Sequence, residues 1–418
     1  MSYEVLQYKK HAQNHIHLGV CGSIAAYKSL ELMRAFLKCN IHVSVTLTPS
    51  AEKFVQALSF EALGASKVYK QLFQGEMPFD HLEPSRLADA MVIAPASATT
   101  IARLAHGFGD EMLACQALAF DGPILIAPAM NPKMWTNPAT NANIETLLER
   151  GYFLTEPETG LVACKEEGQG RLARFEKIYY DALALITEQD LVGKKILITL
   201  GPTAEKWDAV RIWTNNSTGG MGTAFAITAW LRGAEVYVAA GPNQQYFPED
   251  MRMHVFPVTS ADEMYEKCHD LWHSMDYGIF TAAVADFKPD AGINQDEENT
   301  GFFQSKKFKK EEHRNGFDIH FSPNQDILKS IGQIKKPHQK LMGFSAESGS
   351  QIHELAQAVR QKLLTKNCDI VVGNFISEAM GKKSNKVYVA DKNNIEEEWG
   401  TMSKADLAWD LLSYLESI

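Results

Sequence analysis

Asn131 stands just after a short apolar run, residues 124–127, which is bounded by Pro123 and Pro128 and reads as a buried strand. Asn137-Pro138 downstream reads as the cap and first turn of a helix. Ligands of open α/β sheets bind outside the carboxyl ends of the strands, where Asn131 falls. Its amide offers two donors and one acceptor, a set that grips a carboxylate or another amide. An Asn-Pro turn with no ligand satisfies the same spacing. His81, in Phe79-Asp-His-Leu-Glu-Pro84, carries an imidazole suited to accepting a proton, or serves as a surface or structural histidine. Cys164 lies in Gly160-Leu-Val-Ala-Cys-Lys-Glu-Glu-Gly-Gln-Gly-Arg171, whose glycines predict a mobile loop. That loop is a lid with a reactive thiol, or a loop that happens to hold a cysteine.

Cys21-Gly-Ser-Ile-Ala-Ala-Tyr-Lys28 is a small-residue turn between a strand and a helix. Free backbone N–H groups in such a turn can seat a phosphate. It has neither the GxGxxG nor the GxxxxGK(S/T) pattern, so it implies neither a dinucleotide nor a Walker-type site. In the second half, Ser305-Lys-Lys-Phe-Lys-Lys310 is a basic cluster in a chain of formal net charge −10. It is a solvated patch or the counter-charge for a polyphosphate. Lys362 and Lys366 fall one turn apart on one face of a helix.

The elements that must position these groups alternate. Strands are expected at 16–20, 41–47, 90–94 and 124–127, separated by helices, which makes a doubly wound parallel sheet. Thr48, Ser97 and Thr99 put hydroxyls on the rim used by the first turn, as ligand contacts or as helix caps. After a helix over 175–186 the boundary falls at 189/190, and the α/β pattern restarts. Strands are expected at 195–199, 234–239, 277–285 and 341–344, with a helix over 219–232 opened by Gly219-Gly-Met-Gly222. The expected domains are therefore a loosely ordered extension (1–15), a first domain (16–189) and a second domain (190–418).

At 418 residues the chain is too long for one ordinary core. Its 45% hydrophobic and 22% charged content is that of a globular protein. No apolar run approaches the roughly 18 residues a membrane helix needs, and residues 1–15 lack a signal peptide's apolar core. The six cysteines are scattered without a CxxC pair, which predicts a reducing, cytoplasmic setting without structural zinc or disulfides. The acidic balance speaks against a nucleic-acid partner.

Pro128-Ala-Met-Asn-Pro-Lys-Met134 resembles the PAMNxxM signature of the flavin-containing cysteine decarboxylases, and Gly22-Ser-Ile-Ala-Ala-Tyr-Lys28 resembles their phosphate-binding stretch. Residues 160–171 resemble their substrate clamp, ACGxxGxGR, with Lys165 in place of a glycine. The resemblance implies a flavodoxin-like domain that binds FMN through Gly22, Ser23, Ile24, Ala25, Ala26, Thr48, Ser97 and Thr99. It implies His81 as base, Asn131 as holder of the departing carboxylate and Cys164 as the final proton donor. Met134, Gly168, Gly170 and Arg171 then form the clamp.

Residues 190–418 resemble the Rossmann-like phosphopantothenate–cysteine ligase domain. The pattern GPTxExxDxVRxxxNxSxGxMG spans Gly201 to Gly222, AAVADF spans 282–287, GFSAE spans 343–347 and KxxxKN spans 362–367. Carried over, Ala282, Ala283, Asp286, Lys307, Phe344, Lys362 and Lys366 bind CTP, and Asn215 contacts the acyl-cytidylate. Mg²⁺ offsets the triphosphate charge. The order of the halves resembles the bifunctional phosphopantothenoylcysteine decarboxylase / phosphopantothenate–cysteine ligase family of coenzyme A biosynthesis. The implied partners are CTP, 4′-phosphopantothenate, cysteine and copies of the chain itself, in a dodecamer. Gly220 stands where bacterial members usually have Lys, and Ala204 where they often have Arg. The late GFxSDxN-type loop is reduced to Gly381-Lys-Lys-Ser-Asn385. Lys206 or Arg211 is the expected substitute for the missing cation. Two rival readings are a flavoprotein that modifies without decarboxylating and a non-catalytic regulatory subunit. A third is an active decarboxylase with a weakened or inactive ligase half.

Overall fold

The computed structural model describes residues 4–72, 79–161, 165–289, 319–379 and 381–418. Cys164 and Lys307 lie outside the described residues. The chain divides into two compact units, Met1–Glu188 and Gln189–Ile418.

The first unit is built on β1 (His15–Val20), β2 (His42–Leu47), β3 (Val68–Tyr69), β4 (Ala90–Ala96), β5 (Ile124–Pro128) and β6 (Phe153–Leu154). All six are parallel, in the order β3-β2-β1-β4-β5-β6. Setting aside the two-residue edge β3, the remaining order is second, first, third, fourth, fifth, the flavodoxin-like arrangement. Strands covered on both faces read as continuous apolar runs, and β4 and β5 are buried throughout. His17 is the polar exception on β1. It is fully buried between Ser44 (2.8 Å) and Thr46 (2.9 Å), and burial lowers its pKa to about 3, so the ring is neutral.

The strand order reverses between β1 and β4, and their outgoing loops meet there: the Cys21 N–H donates to Pro95 O at 3.1 Å. The expected loose extension is not what residues 6–15 form. Tyr8 is buried, the Leu6 N–H donates to the Tyr180 hydroxyl (2.9 Å), and the Tyr179 hydroxyl donates to Leu6 O (2.8 Å). The expected mobile loop is also structured at its flanks, where β7 (Glu158–Leu161) and β8 (Glu167–Arg171) pair antiparallel.

The second unit repeats the plan. Its central β9 (Lys195–Leu200) carries a small antiparallel pair on the following loop, β10 (Ala204–Lys206) and β11 (Ile212–Thr214). β12 (Glu235–Ala240) and β13 (Met253–Pro257) lie to one side, and β14 (Tyr277–Phe280) to the other. A second small pair, β15 (Phe287–Pro289) and β16 (Phe321–Pro323), precedes β17 (Lys340–Glu347) and β18 (Ile370–Phe375). β19 (Ser384–Asp391) and β20 (Glu396–Ser403) close the sheet antiparallel. The parallel strands run β13-β12-β9-β14-β17-β18, the six-strand order of the first unit again, with the reversal between β9 and β14. β14 is shorter than the expected 277–285, because residues 281–285 leave the ladder to form the rim beside the reversal.

The helix Gly220–Leu231 is apolar on nearly every face. It is covered by the sheet on one side and by the C-terminal helix Lys404–Ser417 on the other. Gly222 permits that approach, since a β-carbon there would lie 2.4 Å from Leu200 Cβ.

Candidate active sites

In the first unit the loop after β1 turns into a short 3-10 helix, Ile24–Tyr27, capped by Ser23. The Ala25 N–H donates to Ser23 Oγ (3.2 Å) and the Ala26 N–H to Ser23 O (3.0 Å). Those two donors are used internally, whereas the N–H groups of Gly22, Ser23 and Ile24 have no hydrogen-bond partner among the described residues. Gly22 lies against the loop after β2, with room for no side chain: a β-carbon would be 2.4 Å from Ser50 Cβ. Thr48 Oγ1 accepts the Ala51 N–H (3.2 Å), and Ser97 caps the helix Ala98–His106. Thr99 is exposed on the first turn of that helix. The loop residues and the three hydroxyl residues thus gather around the β1/β4 reversal.

Asn131 caps the helix Pro132–Trp135, its Oδ1 accepting the Lys133 N–H at 2.8 Å. That leaves Nδ2 to face the hairpin, where it donates to Glu166 Oε2 at 2.7 Å. Lys133 Nζ lies 3.6 Å from the other carboxylate oxygen. The amide is therefore already gripping a carboxylate. The hairpin is laid on the Asn131 loop by its glycines: the Met130 N–H donates to Gly170 O (2.9 Å), and a β-carbon on Gly170 would lie 2.5 Å from Met130 O. On Gly168 it would lie 2.8 Å from Pro132 Cβ. Met134 and Arg171 are exposed beside them. Lys165, in the place of a family glycine, has φ 65°, the left-handed conformation that glycine takes without strain.

His81 sits in the 3-10 turn Asp80–Leu82, which packs on the helix Met112–Leu118. Lys67 fixes the turn by pairing with buried Asp80 (2.7 Å) and with Glu83. The imidazole itself is half-buried and makes no hydrogen bond among the described residues.

In the second unit a cavity of about 680 Å³ opens at the β9/β14 reversal. Asn215, Ala282, Ala283 and Asp286 line one wall, and Phe344, Lys362 and Lys366 another. The CTP-site residues named from the sequence are thus brought together wherever they are described. Asn215 Nδ2 donates to the carbonyls of Ala283 and Val284, each at 3.1 Å, and fixes the rim. Lys362 Nζ donates to Phe344 O (2.6 Å), and burial lowers its pKa. Lys366 is paired with Asp326. Neither Lys206 nor Arg211 lines the cavity; the Arg211 guanidinium pairs with Asp208 and lies over the Trp207 ring.

Three polar groups at these sites escape the sequence. Glu166 carries no signal beyond its place in the clamp. Asn385 and Lys404 also line the cavity, about 165 or more positions beyond its glycine turn, and Ser403-Lys404 looks only like a helix start.

Residues 4–187 match the family described as Flavoprotein, and residues 191–418 match the DNA/pantothenate metabolism flavoprotein C-terminal domain. The chain is 36% identical to the Coenzyme A biosynthesis bifunctional protein CoaBC of Bacillus subtilis, over 97% of both chains. It is 33% identical to that of Borreliella burgdorferi, over 96% of this chain and 98% of the relative. A crystal structure of the C-terminal domain of a CoaBC protein aligns at 31% identity, covering 55% of this chain and 97% of that one, with a TM-score of 0.43. A flavodoxin-like flavoprotein unit followed by a Rossmann-like unit defines a two-part α/β flavoprotein of pantothenate metabolism. The chain belongs to the family of bifunctional coenzyme A biosynthesis proteins. It combines phosphopantothenate–cysteine ligase with phosphopantothenoylcysteine decarboxylase activity.

Proposed function

We propose that the second unit joins 4′-phosphopantothenate to cysteine with CTP, and that the first decarboxylates the product to 4′-phosphopantetheine with FMN. The observation that carries the decarboxylase reading is the Asn131 amide donating to a carboxylate at 2.7 Å, under a hairpin held by glycines. Glu166 there stands in for the carboxylate of the substrate. Asn131 Nδ2 holds that carboxylate, His81 accepts the thiol proton, and Cys164 returns a proton through Sγ at the end. FMN, when bound, supplies the two-electron oxidation of the thiol and the later return of the electrons. Gly22, Ser23 and Ile24 hold its phosphate by their free N–H groups, with Ala25 and Ala26 shaping the turn. Thr48, Ser97 and Thr99 line its path, and Met134, Gly168, Gly170 and Arg171 close over the substrate.

In the ligase half, a carboxylate is a poor acyl donor. Attack of the 4′-phosphopantothenate carboxylate on the α-phosphorus of CTP expels pyrophosphate and gives an acyl-cytidylate, from which the cysteine amine displaces CMP. Asn215, Ala282, Ala283, Asp286, Phe344, Lys362 and Lys366 line the cavity that suits this substrate, and Lys307, outside the described residues, is the further cation this reading assigns to CTP. Mg²⁺ accompanies the triphosphate, with most of its ligands from phosphate and water.

Self-association is supported by exposed apolar residues, Ile212 (56%) and Trp213 (53%) on β11 with Phe321 packed on Trp213. The described cysteines are free, which suits the cytoplasm, and no described helix is long and apolar enough to cross a membrane. Mass analysis of the flavin released from the purified chain tests the cofactor. FMN is expected, because the turn at 21–28 has no dinucleotide pattern; FAD would overturn the reading.

A further inference from the structure

Lys404 opens the helix Lys404–Ser417, whose cap is Ser403. Its own N–H donates to Lys383 O at 3.1 Å, which fixes the start of the side chain against β19. The side chain lines the cavity of the second unit. Of the three lysines lining that cavity among the described residues, Lys362 donates to Phe344 O and Lys366 pairs with Asp326. Lys404 Nζ has no hydrogen-bond or ion-pair partner among the described residues, and burial alone lowers its pKa.

Its position relative to the glycine turn gives this meaning. A β-carbon on Gly220 would lie 3.6 Å from Lys404 Nζ. The ammonium therefore rests against the first turn of the helix Gly220–Leu231. The N–H groups of Gly220, Met221 and Gly222 there have no partner among the described residues. A helix N-terminus carries partial positive charge, so a cation set beside it is unfavourable unless an anion lies between them. Asn385 adds a third, independent group. It lines the same cavity, is 4% exposed, and its Oδ1 is buried with no hydrogen-bond partner. β-sheet pairing sets it opposite Met402, two residues before Lys404. Buried polar atoms are seldom left unpartnered in a finished site.

We infer that Lys404 Nζ and the N–H groups of Gly220–Gly222 hold a phosphate group of a ligase substrate, with Asn385 accepting a hydroxyl or amine of the same ligand. This rests on the ligase reading above and names a subsite within it. The shared chemistry is a phosphate, from either the CTP triphosphate or 4′-phosphopantothenate. Pyrophosphate release by the full chain, with CTP, 4′-phosphopantothenate or unphosphorylated pantothenate varied in turn, separates the two. Lys404→Gln is expected to raise one KM roughly tenfold or more, and Lys404→Arg to restore most of it. A rise for 4′-phosphopantothenate, with lost discrimination against pantothenate, assigns the substrate phosphate; a rise for CTP assigns the triphosphate. Gly220→Asp is a second probe. It places a carboxylate where the phosphate would sit, on a helix first turn that tolerates acid and within reach of the Lys404 ammonium, and should raise the same KM by occupying the subsite while Lys404 itself is unchanged in sequence. Values within twofold of the parent for both substrates, in both Lys404→Gln and Gly220→Asp, would overturn the inference while leaving the ligase reading intact. Absence of CTP-dependent pyrophosphate release in the parent would overturn both.

Discussion

Asn131 uses its two ends differently, and a single substitution separates them. Aspartate at 131 would still accept the Lys133 N–H through one oxygen, so the cap survives. It would replace the Nδ2 donor by a negative oxygen facing any carboxylate in the Glu166 position. A hydrogen bond to a charged group contributes about 1.5–3 kcal/mol, or roughly 10- to 150-fold in rate or affinity. Asn131→Asp is therefore expected to cut carbon dioxide release from 4′-phosphopantothenoylcysteine at least about tenfold. Retention of the parent rate would show that the amide donor is not used. The place of Asn131 was legible because it depends on local chemistry, a strand end followed by a proline-started helix. Glu166 and Lys404 were not legible, because what each faces is fixed by chain pairing far from it in sequence. Lys165 was visible as a departure. The structure gives its consequence, a left-handed lysine, whose backbone costs about 1–2 kcal/mol that glycine would avoid.

Among the elements, the β7–β8 hairpin depends most sharply on particular residues. Gly170 combines φ 148° with a β-carbon position 2.5 Å from Met130 O, so Gly170→Ala must lift β8 from the Asn131 loop. Crowding of this kind costs about 1–3 kcal/mol, and here the hairpin moves more readily than the core. The expected outcome is a decarboxylase rate reduced about tenfold, with pyrophosphate release by the ligase half unchanged in the same preparation. An unchanged decarboxylase rate would remove the hairpin from the site. The polar sequence of 158–171 reads as a loop because alternating glycines hide its strand period, and only the antiparallel register reveals it. The long strands β1, β4, β5 and β9 were legible as continuous apolar runs. The two-residue β3 and β6 are too short to leave a period. The apolar run from 281 to 285 overshot its strand because those small residues serve the cavity rim rather than the ladder.

For the whole molecule, both units use one strand order; the first gathers its candidate FMN residues, and the second its described candidate CTP residues, around the point where that order reverses. Each unit exposes apolar side chains, Leu58 (72%) and Ile24 (63%) in the first and Ile212 and Trp213 in the second, on which copies of the chain can associate. A three-fold contact through one unit and a two-fold contact through the other would close a particle, so light scattering is expected to give a species far larger than a dimer. A monomer at micromolar concentration would contradict it. Both reactions, ligation and decarboxylation, are carried by one chain. The most direct measurement supplies the purified chain with 4′-phosphopantothenate, cysteine and CTP, and follows pyrophosphate, CMP, carbon dioxide and 4′-phosphopantetheine together. All four are expected in equal amounts. Carbon dioxide formed from added 4′-phosphopantothenoylcysteine, with no pyrophosphate from the three substrates, would contradict it and leave the chain a decarboxylase alone.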